Sequence, residues 1–98
     1  MKYIKKPVAI EAFQMTEERR FNNNDWPGWL NEAWNAPDLT EGALSIDPDD
    51  PERKKLVVGT PSGPVAISFG DWILRGPGGE IYPCKPDIFE ATYDEAKP

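Results

Sequence analysis

Proline and glycine set the first limit on this chain. Eleven prolines and eight glycines punctuate its 98 residues. Each proline fixes φ and removes a backbone donor, so only short helices and strands fit between them. At this length one modest core closes and little is left for a second, so residues 1–98 are expected to form a single domain. The expected class is α+β, with a small antiparallel β-sheet or partly closed barrel of about five to six short strands, a Trp-rich short helix and a short C-terminal helix.

Along the chain, residues 2–15 alternate as a strand, with Val8, Ile10 and Ala12 on one face and Ala9, Glu11 and Phe13 on the other. Pro7 stands near its start or on an edge, behind Lys2, Lys5 and Lys6. The polar stretch "TEERRFNNND" reads as irregular. Asp25 is placed to cap a helix with Pro27 in its first turn, and Trp26, Trp29, Leu30 and Ala33 follow helical spacing until the Ala36-Pro37 step ends it. "GALSI" and "KKLVVGT" read as strands around the acidic loop "DPDDPERKK". Thr60-Pro61-Ser62-Gly63 then turns the chain into "PVAISF", and Gly70-Asp71 turns it into "WILRG". A β-meander accounts for this order. After "GPGGE" comes a last strand over Glu80 to Cys84, followed by a packed closing helix from Pro86 to Tyr93 in which Ile88, Phe89 and Tyr93 are the residues to bury. The tail "DEAKP" reads as frayed.

Composition narrows the chemistry. Seventeen acidic against eleven basic residues give a net charge of −6, the wrong sign for neutralising a nucleic-acid backbone, so bulk DNA or RNA is disfavoured as a partner. No apolar run approaches membrane-spanning length and the start lacks a signal-peptide pattern, so a soluble, intracellular protein without a membrane partner is expected. Histidine is absent and Cys84 is the single cysteine. These absences remove Ser-His-Asp and Cys-His nucleophiles, facial-triad iron and His-ligated zinc. The chain is expected to be non-catalytic, with no cofactor and no metal.

Each remaining candidate carries two readings. Asp47, Asp49, Asp50 and Glu52 offer oxygens to a hard cation, but Pro48 and Pro51 interrupt the loop and the EF-hand glycine is missing, which favours a solvated hairpin loop. Cys84, beside Lys85 and a helix start, is either an activated thiol or a small buried group; without a base, the second reading is preferred. Asp71, Glu80, Asp87 and Glu90 offer an acid/base pair in principle, but turn and capping roles already explain Asp71 and Asp87. Trp26, Trp29, Trp34 and Trp72 supply core, yet so small a domain rarely buries all of them, leaving one or two for a pocket mouth or a subunit interface. The strongest grouping is Arg75, Tyr82 and Lys85. A "WILRG-turn-EIYPCK" hairpin would set Arg75 opposite Tyr82, near the free amides of Pro86-Asp87-Ile88, and would suit a phosphate-bearing ligand with a base to stack. The candidate ligand residues are therefore Asp71, Trp72, Arg75, Tyr82, Lys85 and Trp26.

"KYIKKPVAIEAFQ", "WPGWL" and above all "GDWILRGPGGEIYPCKPDIFEATY" resemble a widespread family of small proteins encoded by phages and prophages. Departures from that pattern are Phe69 before Gly70-Asp71-Trp72, the Pro77-Gly78-Gly79 turn, and the elaborated loop from Asp47 to Lys55. The resemblance implies an accessory protein in the cytoplasm of the infected bacterial host, with an anti-defence role. The expected function is sequestration, without catalysis, of a nucleotide-derived immune signal, of the cyclic ADP-ribose type of Thoeris or the cyclic oligonucleotides of CBASS. Trp72 or Tyr82 would stack on the base, Arg75 and Lys85 would neutralise phosphate, and Asp71 would accept from a ribose hydroxyl. The alternatives are an acidic protein-interaction module that inhibits a host protein, and a hydrolase of the same nucleotides. A homo-oligomer is expected, because a short Trp-rich chain gains burial by association.

Overall fold

In the computed structural model, which describes residues 1–3 and 9–93, proline and glycine delimit short elements as their number requires. The order is β1 (Glu11–Gln14), α1 (Glu17–Phe21), α2 (Gly28–Asn35), β2 (Leu44–Ile46), β3 (Leu56–Thr60), β4 (Gly63–Ile67), β5 (Trp72–Arg75), β6 (Ile81–Cys84) and α3 (Pro86–Thr92). The strands do not form the expected single sheet or partly closed barrel. They divide into two three-stranded antiparallel sheets, ordered β1-β5-β6 and β2-β3-β4. The β2-β3-β4 sheet is the expected meander, but β5 leaves it to pair with β1. Of the strand expected over residues 2–15, β1 is the part seen. Pro7 and Val8 lie outside the described residues, as does the "DEAKP" tail.

Alternation along the strands builds the core between these sheets. Phe13, Ile73 and Ile81 of one sheet face Leu44, Leu56, Val58 and Ile67 of the other, while Trp26, Leu30 and Ala33 close the side. Leu30, Leu44, Ile73 and Val58 are fully buried, each contributing about 1.5–3 kcal/mol relative to an exposed side chain.

Two local expectations are corrected. "TEERRF" is a helix: the Thr16 side chain accepts from Arg19 N, with Glu17 and Glu18 in the first turn and Arg19 and Arg20 in the last, an arrangement that suits both helix ends. Asp25 does not cap the next helix. Its carboxylate pairs with Arg19 at 3.3 Å, and α2 starts from Pro27 without a side-chain cap. The closing helix also packs less than expected: α3 has no buried residue, and Ile88 is 55% exposed.

The prolines in strands stand where a missing donor does least harm. Gly59 donates to Ala43 O and accepts from Gly42 N at 2.8 and 2.9 Å, so its polar groups point away from β4. Pro64, its partner in the register, therefore turns its nitrogen outward. In the other sheet, Gly76 N donates to Glu80 O at 2.9 Å. By alternation this makes the Ile73–Pro83 rung non-hydrogen-bonded, so Pro83 also turns its nitrogen to the open edge.

Gly59 has a second constraint, since a Cβ there would meet the carbonyl of Thr40, whereas one at Gly28 would meet nothing. Gly59→Ala is expected to destabilise the protein by about 1–3 kcal/mol, and Gly28→Ala to be neutral or stabilising by about 0.4–1 kcal/mol. Urea denaturation of the pair checks this, and equal effects would contradict it.

Candidate functional site

The chain passes from β4 to β5 through a Ser68–Asp71 turn, with Asp71 N donating to Ser68 O at 3.0 Å and Gly70 at φ +101°. That φ suits glycine at the third position of such a turn. The turn is bonded to β1 on its other side: Gly70 N donates to Met15 O, Met15 N to Asp71 O, and Gln14 Nε2 to Gly70 O. The Asp71 side chain, 5% exposed, accepts from Ser68 N at 2.9 Å and from Lys85 Nζ at 2.8 Å through the same oxygen, Oδ2. Asp71 and Lys85 are therefore brought together, as partners of one another.

Trp72 and Tyr82 share a face of the β1-β5-β6 sheet, since Trp72 pairs with Cys84 and Leu74 with Tyr82. On that face Trp72 stacks on Phe89 of α3, with ring centroids 4.0 Å apart and planes within 13°. Phe89 in turn lies 5.3 Å from the Tyr93 ring. The stacked Trp72–Phe89 pair, the tilted Tyr93 ring and Tyr82, all half-buried, form an aromatic ledge bounded by the Asp71–Lys85 pair. Phe89 and Tyr93 are ledge residues that sequence reasoning assigned to packing alone. Their spacing of four on a helix is the signal that puts them on one side.

Arg75 does not belong to this group. The Gly76–Glu80 loop sets Arg75 opposite Ile81, not Tyr82, and one residue of offset in a strand reverses the face. The guanidinium instead pairs across the sheet with Glu11, its register partner on β1, at 3.1 Å. Trp26 lies apart from the ledge as well, on the wall of a separate depression of about 250 Å³ with Arg20, Phe21, Asn23 and Trp34. It is 6% exposed, its indole N–H donates to Arg19 O at 2.7 Å, and its ring meets Phe13 and Trp34 edge to face.

Compared with protein-family models, curated proteins and solved structures, the chain gives no significant match. Its chemistry is read from its own residues.

Burial is the first cause, and the neighbouring Tyr93 hydroxyl the second, that pushes the Tyr82 phenol up to about 12. Burial also raises the Cys84 thiol, with Asp87 and Asp71 adding to the shift, so this half-buried cysteine is held in the unreactive form. In the acidic loop, carboxylates are spent on backbone donors. Asp50 accepts from Lys55, Lys54 and Glu52 N–H groups, which hold it below its ordinary value, and Asp47 accepts from Asp49 N. Among the described residues, no group of three or more carboxylates or thiols is arranged to hold a metal. A polar cleft of about 510 Å³ beside α1, lined by Gln14, Arg19, Asn22, Asn24 and Asp25 among others, contains none of the six candidates.

Two outcomes follow. A raised phenol pKa in the folded state gives stability that is fully present below about pH 10, the unfolded value, and lost as pH rises through about 12. Tyr93→Phe is expected to bring Tyr82 back toward its ordinary value, read by tyrosinate absorbance in an alkaline titration. Asp71→Ala leaves Ser68 N–H without its acceptor, and a loss of about 1–3 kcal/mol is expected in urea denaturation.

Proposed function

We propose that this chain is a non-catalytic interaction module that docks a protein partner through α3 and the aromatic ledge behind it. One observation carries the reading: Ile88 stands 55% exposed on a helix with no buried residue, whose Phe89 stacks on Trp72 of β5. Asp87 and Glu90 flank Ile88 in sequence and are exposed. An apolar anchor between carboxylates fits a groove with an apolar floor and a basic rim, the helix-in-groove mode of recognition. The net charge of −6 supports the same sign of partner. In the setting implied by the resemblance to phage proteins, the partner is a host protein that the module blocks.

A second reading, sequestration of a nucleotide-derived signal, is favoured by the nearness of Asp71, Trp72, Tyr82 and Lys85, where a base would have rings to stack on. It is weakened by the commitment of Lys85 to Asp71 and of Arg75 to Glu11, because phosphate would have to compete with both carboxylates.

Affinity capture from bacterial lysate is expected to retain a discrete host protein on the wild-type chain and to lose it on Ile88→Asp, whose circular dichroism should be unchanged. Sedimentation of the purified chain separates this from self-association. Calorimetry with cyclic ADP-ribose-type and cyclic oligonucleotide ligands is expected to give no heat. Saturable heat would replace the proposal with the second reading, and turnover of the ligand would replace both with a hydrolase.

A further inference from the structure

Away from the ledge, a small slot opens between the end of α2 and the loops on either side of β2. It holds about 220 Å³ and is lined by the half-buried Trp34 and Ile46 and the exposed Asp38, Leu39, Pro48 and Arg53. That is below the usual range for drug-sized ligands, roughly 300–1,000 Å³, and is on the scale of one large side chain.

The slot is built rather than incidental. Trp34 is held edge to face by Trp26 at 5.9 Å, and the Arg20 guanidinium lies 5.2 Å from its ring. Leu39 sits at φ 63°, where a non-glycine residue is uncommon, with its N–H donating to the buried Ser45 Oγ at 3.0 Å. Arg53, at φ 58°, accepts at its carbonyl from the same Arg20. Both walls are thereby fixed by bonds to neighbouring elements.

The charges lining the slot are uncommitted. Among the described residues, Asp38 and Arg53 form no ion pair with each other or with any other group, and their side chains make no hydrogen bond. A slot with apolar walls at Trp34, Leu39, Ile46 and Pro48 and one unpaired carboxylate and one unpaired guanidinium at its exposed side is the complement of a zwitterion with an apolar side chain. We propose that it binds a free α-amino acid with a large apolar side chain. The ligand carboxylate would meet Arg53, its ammonium Asp38, and its side chain the Trp34, Leu39 and Ile46 walls. This assignment is independent of the ledge and of the partner proposed for it.

The test is a titration of the isotope-labelled chain followed at the Trp34 indole N–H by heteronuclear NMR. L-Phenylalanine and L-leucine are expected to give saturable shifts, glycine none, and N-acetyl-phenylalanine and phenylalanine amide to bind about tenfold more weakly, as loss of one charge-assisted hydrogen bond requires. Arg53→Asn, which tolerates the left-handed backbone, and Asp38→Asn should each weaken phenylalanine to a similar degree with the remaining spectrum preserved. No saturable shift with either amino acid would overturn the proposal. Binding of the acetyl and amide forms as tight as that of phenylalanine itself would overturn the zwitterion, and unchanged affinity in both variants would overturn the site.

Discussion

The Asp71 carboxylate sits where the chain leaves one sheet for the other, and the rest of the structure depends on how it is held there. Ser68 N–H and Lys85 Nζ both reach its Oδ2, while its backbone joins Met15 and Ser68. One residue therefore links the end of β4, the start of β5, the end of β1 and the entry to α3. A buried carboxylate is costly unless paired and hydrogen-bonded, and here the satisfying groups come from separate segments. They can be in place together only in this arrangement of sheets. Lys85, 55% exposed at its side chain, keeps most of its hydration, so the pair avoids much of the penalty of a fully buried one.

The edges of the two sheets follow a consistent rule. Pro64 on β4 and Pro83 on β6 each occupy a rung whose N–H would otherwise face outward, and on β4 the next residue, Ser68, spends its N–H on Asp71. Each edge still presents one outward N–H, of Ala66 on β4 and of Ile81 on β6, but an edge with proline on an outward rung is a poorer template for another strand. The prolines shorten the run of free donors on these two edges, which shifts recognition toward side chains: the α3 surface, the ledge and the slot. The same prolines that limit element length thus also direct where the molecule can be touched.

Much of this architecture was legible because it rests on local signals. Gly63, Gly70 and the Pro77-Gly78-Gly79 segment turn the chain where expected, and Pro86 opens α3. The α1 helix was also legible in principle, since Thr16 followed by Glu17 and Glu18, with Arg19 and Arg20 after them, is a helix-start pattern. The asparagines behind it favoured the irregular reading. What sequence could not supply was register. Whether Arg75 or Leu74 faces Tyr82 depends on how many residues the glycine-rich turn absorbs, and a change of one sends Arg75 to the other face. Of the candidate residues, Asp71 pairs with Lys85, Trp72 and Tyr82 share one sheet face, Arg75 goes to Glu11 and Trp26 to the core. Division into two sheets was likewise invisible, because the choice of β1 over β4 as the neighbour of β5 is a long-range pairing.

The distribution of charge follows from these pairings. Arg19 is bonded to Gln14 O and Asp25, Arg20 to the Arg53 and Lys54 carbonyls, Arg75 to Glu11 and Lys85 to Asp71. Cations that cross-link the fold in this way are less available to an incoming anion. Exposed carboxylates such as Glu32, Glu41, Asp87 and Glu90 have no such duty among the described residues, so the net charge of −6 is presented to solvent by groups of this kind. Such a field raises encounter rates with basic surfaces and repels polyanions. Against that background, a guanidinium with no partner in the fold is one left hydrated and available to a ligand. Arg53 is the arginine in that position among the described residues, and with the exposed Asp38 it lines the same slot, so a ligand carrying both complements would break no pairing within the fold to bind there.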